Sequence, residues 1–340
     1  MALRSAPDSG GSWVDKPSIV AKPLVVVRSA RSVPRYYLGV DGGGTNCRIR
    51  LANENLETLA DAAGGRSNLQ IEAGEPAFRS ITEGTKEVFS KAGIDIAEAA
   101  NTYACFGMAG GRLPSARDAF AQRPWPFAKV RVYDDIDIAR AGAHGGEDGA
   151  VIIVGTGSAA LALVNGQRHQ CGGWGFQIGD QMSGAILGRE LVRRSVEAAD
   201  GLRPASPLTE AVIDKLGGSI DAVMDWSFPQ DPRGPMPAGN GAPSTLLGRA
   251  PAEFGALIPL FFDFYEEGDP VAKELMELEL SYIDTYVRWF KARGVTRMAA
   301  VGGFGTRLYP LMIERHGDFI VRPVDEPLHG AVILAKQNFA

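Results

Sequence analysis

The fold is decided by residues 36–51, which read YYLGVDGGGTNCRIRL. Residues 36–40 are bulky and apolar, and residues 47–51 alternate polar and apolar side chains with a period of two, so both segments are typical of strands. The intervening residues 41–45 include three glycines. Their backbone N–H groups can approach an anion because no Cβ atom stands in the way. The stretch therefore predicts a β-hairpin with a phosphate-binding turn.

A second unit of the same kind begins about 110 residues further along the chain. Residues 149–154 read GAVIIV, residues 155–158 read GTGS, and residues 160–164 read ALALV. Either turn alone could be a purely structural hairpin, but two turns so alike in chemistry suggest two related lobes that face a cleft. Neither turn continues as Gly-Lys-Ser/Thr or opens a helix as Gly-x-Gly-x-x-Gly, which excludes a P-loop and a Rossmann fingerprint.

A third glycine turn, VGGFG at residues 301–305, follows a predicted strand at 297–301. It opens a predicted helix that runs through Tyr309 and Met312. Glycine at this point lets a flat ring approach the backbone, which suits an adenine. Taken alone the signal is weak, because glycine is common where a strand turns into a helix.

Other regular elements follow from local patterns. Short strands are predicted at 102–106 and 130–133. The clearest helix has Asp269 as its N-cap and Gly294 beyond its end. Its apolar stripe is predicted to pack into the core, and it comprises Val271, Leu275, Leu278, Tyr282, Tyr286 and Trp289.

Composition excludes several classes of protein. The 340 residues suffice for two domains, and 35 Lys and Arg against 40 Asp and Glu give a net charge of 35 − 40 = −5, unlike a general nucleic-acid binder. No apolar run reaches the roughly 18–20 residues of a membrane span. Three cysteines without a Cys-x-x-Cys pair and four histidines without His-Glu-x-x-His spacing argue against a disulfide framework and a zinc site. We expect a cytoplasmic enzyme with neither nucleic-acid nor membrane partners.

Two segments differ from the rest of the chain. Residues 1–35 carry six Lys and Arg against two acids, which predicts a flexible N-terminal extension, with a transit peptide as the alternative. Residues 228–251 hold six prolines and several glycines. Such a composition predicts a surface insertion or a lid rather than a regular element.

Three aspartates follow the predicted strand at 130–133. Asp135 is expected in the exit turn beyond the strand, where its carboxylate could accept the proton of an attacking hydroxyl. Asp134 and Asp137 could instead cap the helix that begins near Ile138, a role that Asp often takes. The spacing alone leaves the choice of the base open.

Three further side chains are candidates for binding. Asp41, at the end of the first strand, is placed to hold a hydrated Mg²⁺ ion, which prefers oxygen ligands. Asp180 could cap the helix that includes Ile186, bind a sugar hydroxyl, or do both. Trp174 stands between two glycines, which favours an exposed indole over a packed one.

These motifs resemble those of the sugar kinase/Hsp70/actin superfamily. Residues 41–45 are similar to its first phosphate motif, residues 155–158 to its second, and residues 301–305 to its adenosine motif. Within it the chain resembles the BadF/BadG/BcrA/BcrD ATPase group, and more narrowly the glucosamine and N-acetylglucosamine kinases. The narrower resemblance rests on RSN at 66–68, YDD at 133–135, CGGWG at 171–175, IGD at 178–180, QMSGA at 181–185 and DGLRP at 200–204.

The resemblance implies an α/β fold of the two-lobed, actin-like (ribonuclease H-like) kind, with duplicated lobes around a nucleotide cleft. The expected lobes are residues 36–147 with a C-terminal helix at about 328–340, and residues 148–327. One departure from the family pattern is Met182, where a small residue is usual. The implied site residues are Asp135 as base; Asn68, Asp135, Thr156, Gly173, Trp174, Gly175 and Asp180 for the sugar; Gly43, Gly44, Thr45, Gly155, Thr156, Gly157, Gly302 and Gly303 for ATP; and Asp41 for Mg²⁺.

The function that the resemblance implies is an amino-sugar kinase. ATP would give its γ-phosphate to the 6-hydroxyl of D-glucosamine or N-acetyl-D-glucosamine, and the sequence leaves the choice between these sugars open. One alternative is an ATPase that activates a partner reductase through a shared iron–sulfur cluster, which the cysteine spacing disfavours. Another is a nucleotide-binding module without turnover. A homodimer is the assembly considered.

Overall fold

The computed structural model describes residues 36–44, 46–228 and 248–339, all within one compact unit that spans Val33–Ala340. The predicted N-terminal extension, Thr45 and most of the proline-rich segment (residues 229–247) lie outside the described residues. Within the described ranges, none of the helices combines the length and the apolarity that a membrane span requires.

Ten strands form two five-stranded sheets in the described part of the chain. The first sheet has the order β3-β2-β1-β4-β5, and the second has the order β10-β9-β6-β7-β8. The strands are β1 Tyr36–Gly42, β2 Cys47–Asn53, β3 Thr58–Gly64, β4 Thr102–Met108, β5 Lys129–Asp134, β6 Gly149–Val154, β7 Ser158–Val164, β8 Gln167–Gly172, β9 Met298–Val301 and β10 Ile320–Val321.

The two sheets are built in the same way. In the first, β1 pairs antiparallel with β2 on one side and parallel with β4 on the other. In the second, β6 pairs antiparallel with β7 and parallel with β9. Each sheet therefore has a three-stranded antiparallel half and a parallel half, which confirms the predicted duplication and both predicted hairpins. The boundaries proposed for the two lobes stay a prediction.

Eleven helices cover the sheets in the described ranges. They are α1 Glu75–Lys91, α2 Pro114–Ala121, α3 Asp135–His144, α4 Gly184–Ala199, α5 Pro207–Lys215, α6 Ile220–Ser227, α7 Pro251–Gly255, α8 Ile258–Glu267, α9 Pro270–Lys291, α10 Gly303–His316 and α11 Pro327–Phe339. Because α7 starts at Pro251, the predicted insertion at 228–251 extends one residue too far at its C-terminal end.

Helix α3 lies between the two sheets. Ile138 and Ala141 pack against the first sheet together with α11, and Ile136 and Ala139 pack against Val151 and its neighbours in the second sheet. Every residue of α3 after its first is buried. The residues at the start of α3 are therefore held firmly between both halves of the molecule.

The prediction of which residues of α9 face the core is wrong in part. Asp269 caps the helix as predicted, because its carboxylate accepts hydrogen bonds from the backbone N–H groups of Val271 and Ala272. Leu278, however, is 38% exposed, and the three aromatic residues of the stripe are only partly buried. Aromatic rings fit the edge of a core as well as its centre, so they blur the periodic signal. The buried face includes Ala272, Met276, Leu280, Ile283, Val287 and Phe290.

Candidate active site

The carboxyl ends of three parallel strands, β1, β4 and β5, lie side by side at one edge of the first sheet. In the sheet register Gly42 of β1 lies beside Met108 of β4, and Met108 lies beside Asp134 of β5. Neighbouring strands are about 4.8 Å apart, so the end of β1 and the end of β5 lie roughly 10 Å from each other. Asp135 directly follows as the first residue of α3, so the prediction that it lies in an exit turn is wrong.

The three aspartates have different partners. Arg168 of β8 donates from Nε and Nη2 to the carboxylate of Asp137, at 2.7 and 3.0 Å. Gln170 of the same strand donates from Nε2 to Asp134 Oδ2 at 3.3 Å. Asp134 occupies the N-cap position of α3, as the sequence allowed, but its side chain makes no capping hydrogen bond, and Asp137 lies inside the first turn. Both carboxylates are turned toward β8 instead. Within the described residues, Asp135 is the one of the three without a cationic partner.

The environment of Asp135 makes its carboxylate unusually basic. Burial is the largest cause, the negative charge of Asp134 is the next, and the charges of Asp41 and Asp137 add to it. Together they raise the pKa of Asp135 to about 7. A carboxylate that titrates near neutral pH is a better proton acceptor than an ordinary one and is still ionised in part at that pH.

The first glycine turn is fixed from both sides. The N–H of Gly43 donates to the carbonyl of Asn46 at 2.9 Å, and the hydroxyl of buried Ser67 donates to the carbonyl of Gly43 at 2.9 Å. A Cβ atom added to Gly44 would meet no other atom within 4 Å, so this residue borders open space. Thr45 lies outside the described residues. The turn thus presents backbone to the cleft, with Ser67 as a support that the sequence analysis missed.

Asp41 is held by an arginine that the sequence analysis also missed. Arg48 Nη2 donates to Asp41 Oδ2 at 2.7 Å, and the same guanidinium contacts Glu326. The Asp41 side chain remains 23% exposed. Mg²⁺ in nucleotide sites is usually held by one or two carboxylates plus phosphates and waters. Asp41 fits that mode, and no cluster of three or more His, Cys, Asp or Glu ligands occurs in the described ranges.

The second glycine turn and the third one are in direct contact. The N–H of Gly155 donates to the carbonyl of Gly157 at 2.9 Å, and the start of α4 binds the turn through the N–H of Gly184, which donates to Gly155 O at 2.8 Å. Gly302 has a φ of 93°, and a Cβ atom there would lie 2.5 Å from the carbonyl oxygen of Val154. The second and third glycine turns therefore form one surface that requires glycine at 302.

A cavity of about 500 Å³ lies beside that surface. Its lining includes Gly302, Thr306, Tyr309, Arg322 and Glu326. The guanidinium of Arg322 lies 4.8 Å from the centre of the Tyr309 ring. The volume is in the range of small-molecule sites, and the stacked Tyr309 ring and Arg322 guanidinium form part of its wall. Gly303 is not part of the lining.

The loop between β8 and α4 is strained at two residues other than glycine. Asp180 has a φ of 60° and Met182 a φ of 61°. Such backbone conformations are costly and cluster at functional sites. The Met182 side chain is fully buried in the core of the second sheet, so it does not narrow the cleft. The departure from the family pattern at this position thus affects the core.

Asp180 organises this loop. Its Oδ1 accepts a hydrogen bond from the N–H of Gly175 at 3.1 Å, and a Cβ atom on Gly157 would lie 2.8 Å from its Oδ2. Ser183, not Asp180, caps α4, so the prediction of Asp180 as a cap is wrong. Asp180 instead joins residues 172–175 to the second glycine turn. Residues 172–175 are named the sugar segment, because they carry three of the predicted sugar positions.

The remaining sugar candidates lie on two facing loops. Trp174 is 62% exposed, which agrees with the predicted exposed indole. The guanidinium of Arg112, on the loop after β4, lies 3.9 Å from the Trp174 ring centre. Asn68 packs against that same loop, because a Cβ atom on Gly110 would lie 2.5 Å from its Oδ1. No hydrogen bond joins Asn68 directly to Asp135 within the described residues.

Two duplicated sheets, paired glycine turns and a basic carboxylate at the cleft define a nucleotide-dependent enzyme of the two-lobed α/β class. The chain belongs to the BadF/BadG/BcrA/BcrD ATPase family, whose model matches residues 38–267. The fold class predicted from the sequence, with its actin-like ATPase architecture, is confirmed.

Curated and solved relatives agree with that membership. The chain is 31% identical to glucosamine kinase GspK of Vibrio cholerae, over 88% of this chain and 95% of the relative. It is 26% identical to N-acetyl-D-glucosamine kinase of Dictyostelium discoideum, over 71% of this chain and 74% of the relative. A crystal structure described as an N-acetylglucosamine kinase from Chromobacterium violaceum superimposes with a TM-score of 0.72 and 31% identity, over 88% of this chain and 99% of that chain.

Proposed function

We propose that this protein is an amino-sugar kinase, which transfers the γ-phosphate of ATP to the 6-hydroxyl of D-glucosamine or N-acetyl-D-glucosamine. Family membership and the names of the relatives support the reaction class. The observation that carries the proposal is Asp135, a basic carboxylate without a cationic partner in the described residues, next to the sheet edge that bears the first phosphate turn.

Asp135 acts as the general base. A sugar hydroxyl is a weak nucleophile, and a positioned carboxylate that takes its proton typically accelerates attack by about 10²–10⁴-fold. The proton moves from the 6-hydroxyl to the Asp135 carboxylate as the hydroxyl oxygen bonds to the γ-phosphorus and ADP leaves. Because Asp137 is neutralised by Arg168 and Asp134 accepts from Gln170, Asp135 is the free acceptor of the three.

The glycine turns hold the triphosphate. Phosphoryl transfer proceeds through a loose transition state, so alignment and charge stabilisation supply most of the acceleration. Backbone N–H groups of Gly44, Thr156 and Gly157 would bind the phosphate oxygens, since those of Gly43 and Gly155 already donate within their own turns. The cavity beside Gly302 would take the adenosine. Bound Mg²⁺ would neutralise charge on the phosphates, and the partly exposed carboxylate of Asp41 would hold it.

The sugar would lie between the loops that face each other across the cleft. Asn68 and Asp180 supply an amide and a carboxylate for its hydroxyls, Thr156 adds a hydroxyl at the junction with the phosphates, and residues 173–175 form a further wall. This placement puts the acceptor sugar between the second phosphate turn and Asp135.

The rival interpretation, an activator with a shared iron–sulfur cluster, finds no support in the cysteines. Cys47 and Cys105 are buried, and Cys171 is half-buried. Burial raises the pKa of the Cys47 and Cys171 thiols to about 11. A cluster shared between two subunits needs a pair of cysteines near the surface of each, whereas Cys171 is the one of these three that is not buried.

The experiment that tests the proposal is a coupled ADP-release assay with Mg-ATP and four sugars: glucosamine, N-acetylglucosamine, N-acetylmuramate and glucose. ADP release should depend on an amino sugar. Asp135→Asn should lower kcat about 10²–10⁴-fold and leave the KM for ATP nearly unchanged. Asp137→Asn is the matched control, since it changes the same helical turn but a carboxylate already paired with Arg168; its kcat should fall far less. Full activity of Asp135→Asn would refute the assigned base.

A further inference from the structure

Arg112 links the loop after β4 to the sugar segment of the second sheet. Its Nη1 donates to the carbonyl oxygen of Gly172 at 2.6 Å and lies 3.4 Å from that of Gly173. Its guanidinium also lies over the indole of Trp174, 3.9 Å from the ring centre. One half-buried side chain thus holds three consecutive residues of the segment, at the point where β8 ends and the strained loop begins.

The backbone next to Arg112 packs beside the candidate catalytic carboxylates. A Cβ atom on Gly111 would lie 2.8 Å from the carbonyl oxygen of Tyr133 and 3.1 Å from Cα of Asp134, so this loop packs directly on the end of β5. Arg117 donates to the carbonyl oxygens of Gly111 and Arg112 and so holds the loop from its other side. The loop backbone that carries Arg112 therefore does not move independently of Asp134 and Asp135.

We propose that Arg112 is a positioning residue for the sugar: it holds the Trp174 segment at a fixed distance from Asp135 and thereby sets the affinity for the amino sugar. The inference rests on the proposed kinase function. Arginine suits this role because its planar fork can donate to carbonyl groups and stack on an aromatic face at once, which a lysine ammonium cannot do. Since Trp174 remains 62% exposed, ring surface is left over for the apolar face of a pyranose.

The chain offers a matched control for this contact. Arg293, at the end of α9, lies with its guanidinium 3.6 Å from the ring centre of Trp289 and donates to the carbonyl oxygen of the same residue at 3.0 Å. The chemistry is nearly that of Arg112 on Trp174, but Trp289 lies beside His169 and Cys171 of β8, and this pair does not join the sugar segment to the loop after β4 in the described residues. A comparison of the two variants therefore separates the effect of losing a cation–π pair from the effect of displacing the sugar segment.

The test compares Arg112→Ala, Arg112→Lys and Arg293→Ala with the wild type in the ADP-release assay and in thermal unfolding. Arg112→Ala should raise the KM for the amino sugar on the order of tenfold or more, with the KM for ATP changed less than about twofold, and Arg112→Lys should restore only part of the loss. Arg293→Ala should leave both KM values within about twofold. Trp174→Ala is measured alone and combined with Arg112→Ala, and the two effects on the sugar KM should not add, because both changes remove the same contact.

Three outcomes would overturn the inference. They are an unchanged sugar KM in a folded Arg112→Ala enzyme, equal increases in both KM values, and full rescue by lysine. A wild-type enzyme that phosphorylates none of the four sugars would instead refute the proposed function, and the inference would fall with it. An active wild type with an unaffected Arg112→Ala variant refutes the inference alone.

Discussion

Replacing Gly302 by alanine should damage nucleotide binding and stability together. Gly302 has φ 93° and ψ 158°, a region that is essentially restricted to glycine, and an alanine there costs about 1–3 kcal/mol. The added Cβ atom would lie 2.5 Å from the carbonyl oxygen of Val154, whereas a close C···O contact is about 3.3 Å, so one backbone must move by about 0.8 Å. That movement adds a strain of about 1–3 kcal/mol.

The displacement falls directly before the second phosphate turn. Val154 is the last residue of β6, and Gly155 begins the turn that is proposed to hold the phosphates. We therefore expect the Gly302→Ala variant to lose about 2–6 kcal/mol of its free energy of unfolding and to show a KM for ATP raised on the order of tenfold. The KM for the sugar should change much less.

Gly305→Ala is the control for this prediction. A Cβ atom on Gly305 would lie 3.4 Å from the Cβ atom of Val154, an ordinary contact, and its backbone is helical. Alanine is a better helix former than glycine by about 0.5–1 kcal/mol, so this variant should be as stable as the wild type or slightly more stable. Thermal unfolding and ATP kinetics measure both variants. If Gly302→Ala were as stable as Gly305→Ala and bound ATP normally, the described contact between the two turns would be wrong.

Two further predictions concern pH. Asp134→Asn removes a negative charge that raises the pKa of Asp135, so the acid limb of the kcat/KM profile should move to lower pH; a limb that stays in place would refute Asp135 as the titrating base. Glu279 is fully buried, its oxygens have no partner in the described residues, and burial raises its pKa to about 8 from its ordinary value of 4.5. The pKa of Glu279 is higher in the folded state than in the unfolded state. Protonated Glu279 therefore makes its full contribution to stability below pH 4.5, and this contribution is lost as the pH rises through about 8. Thermal unfolding between pH 5 and 9 should therefore show a smaller decline for Glu279→Gln than for the wild type, and parallel curves would contradict this.

The hairpins could be predicted from sequence because their signals are local. In β1 and β2 the alternation of side chains and the glycine turn lie within 16 consecutive residues, and the same holds for β6 and β7. Strand β8 lacks such a signal, since Gln167–Gly172 is mostly polar and its strand geometry comes from pairing with β7. A strand of that kind is defined by its neighbour more than by its own pattern.

Candidate site residues could be named from the sequence by their type, but their interaction partners could not. The spacing could not separate Asp135 from Asp134 and Asp137, because the groups that distinguish them, Arg168 and Gln170, lie more than 30 residues away in sequence. These interactions exist only once β8 is placed beside α3. The support of the glycine turns is non-local for the same reason.

The sequence around Arg112 contains one local indication that this residue is functional. It follows Gly110 and Gly111 directly after the end of β4, and a charged residue after a glycine pair at the carboxyl end of a parallel strand is a position where functional side chains occur. Its partners, 60 and more residues further along, could not be read from the sequence.

The most direct test of the central claim is the position of the phosphate on the product. Wild-type protein is incubated with Mg-ATP and glucosamine, or with N-acetylglucosamine, and the sugar is examined by ³¹P and ¹H NMR. A monophosphate ester on C6 that is formed by the wild type and lost in Asp135→Asn is the predicted result. Release of inorganic phosphate at the same rate with and without sugar, or an ester on another carbon, would contradict it.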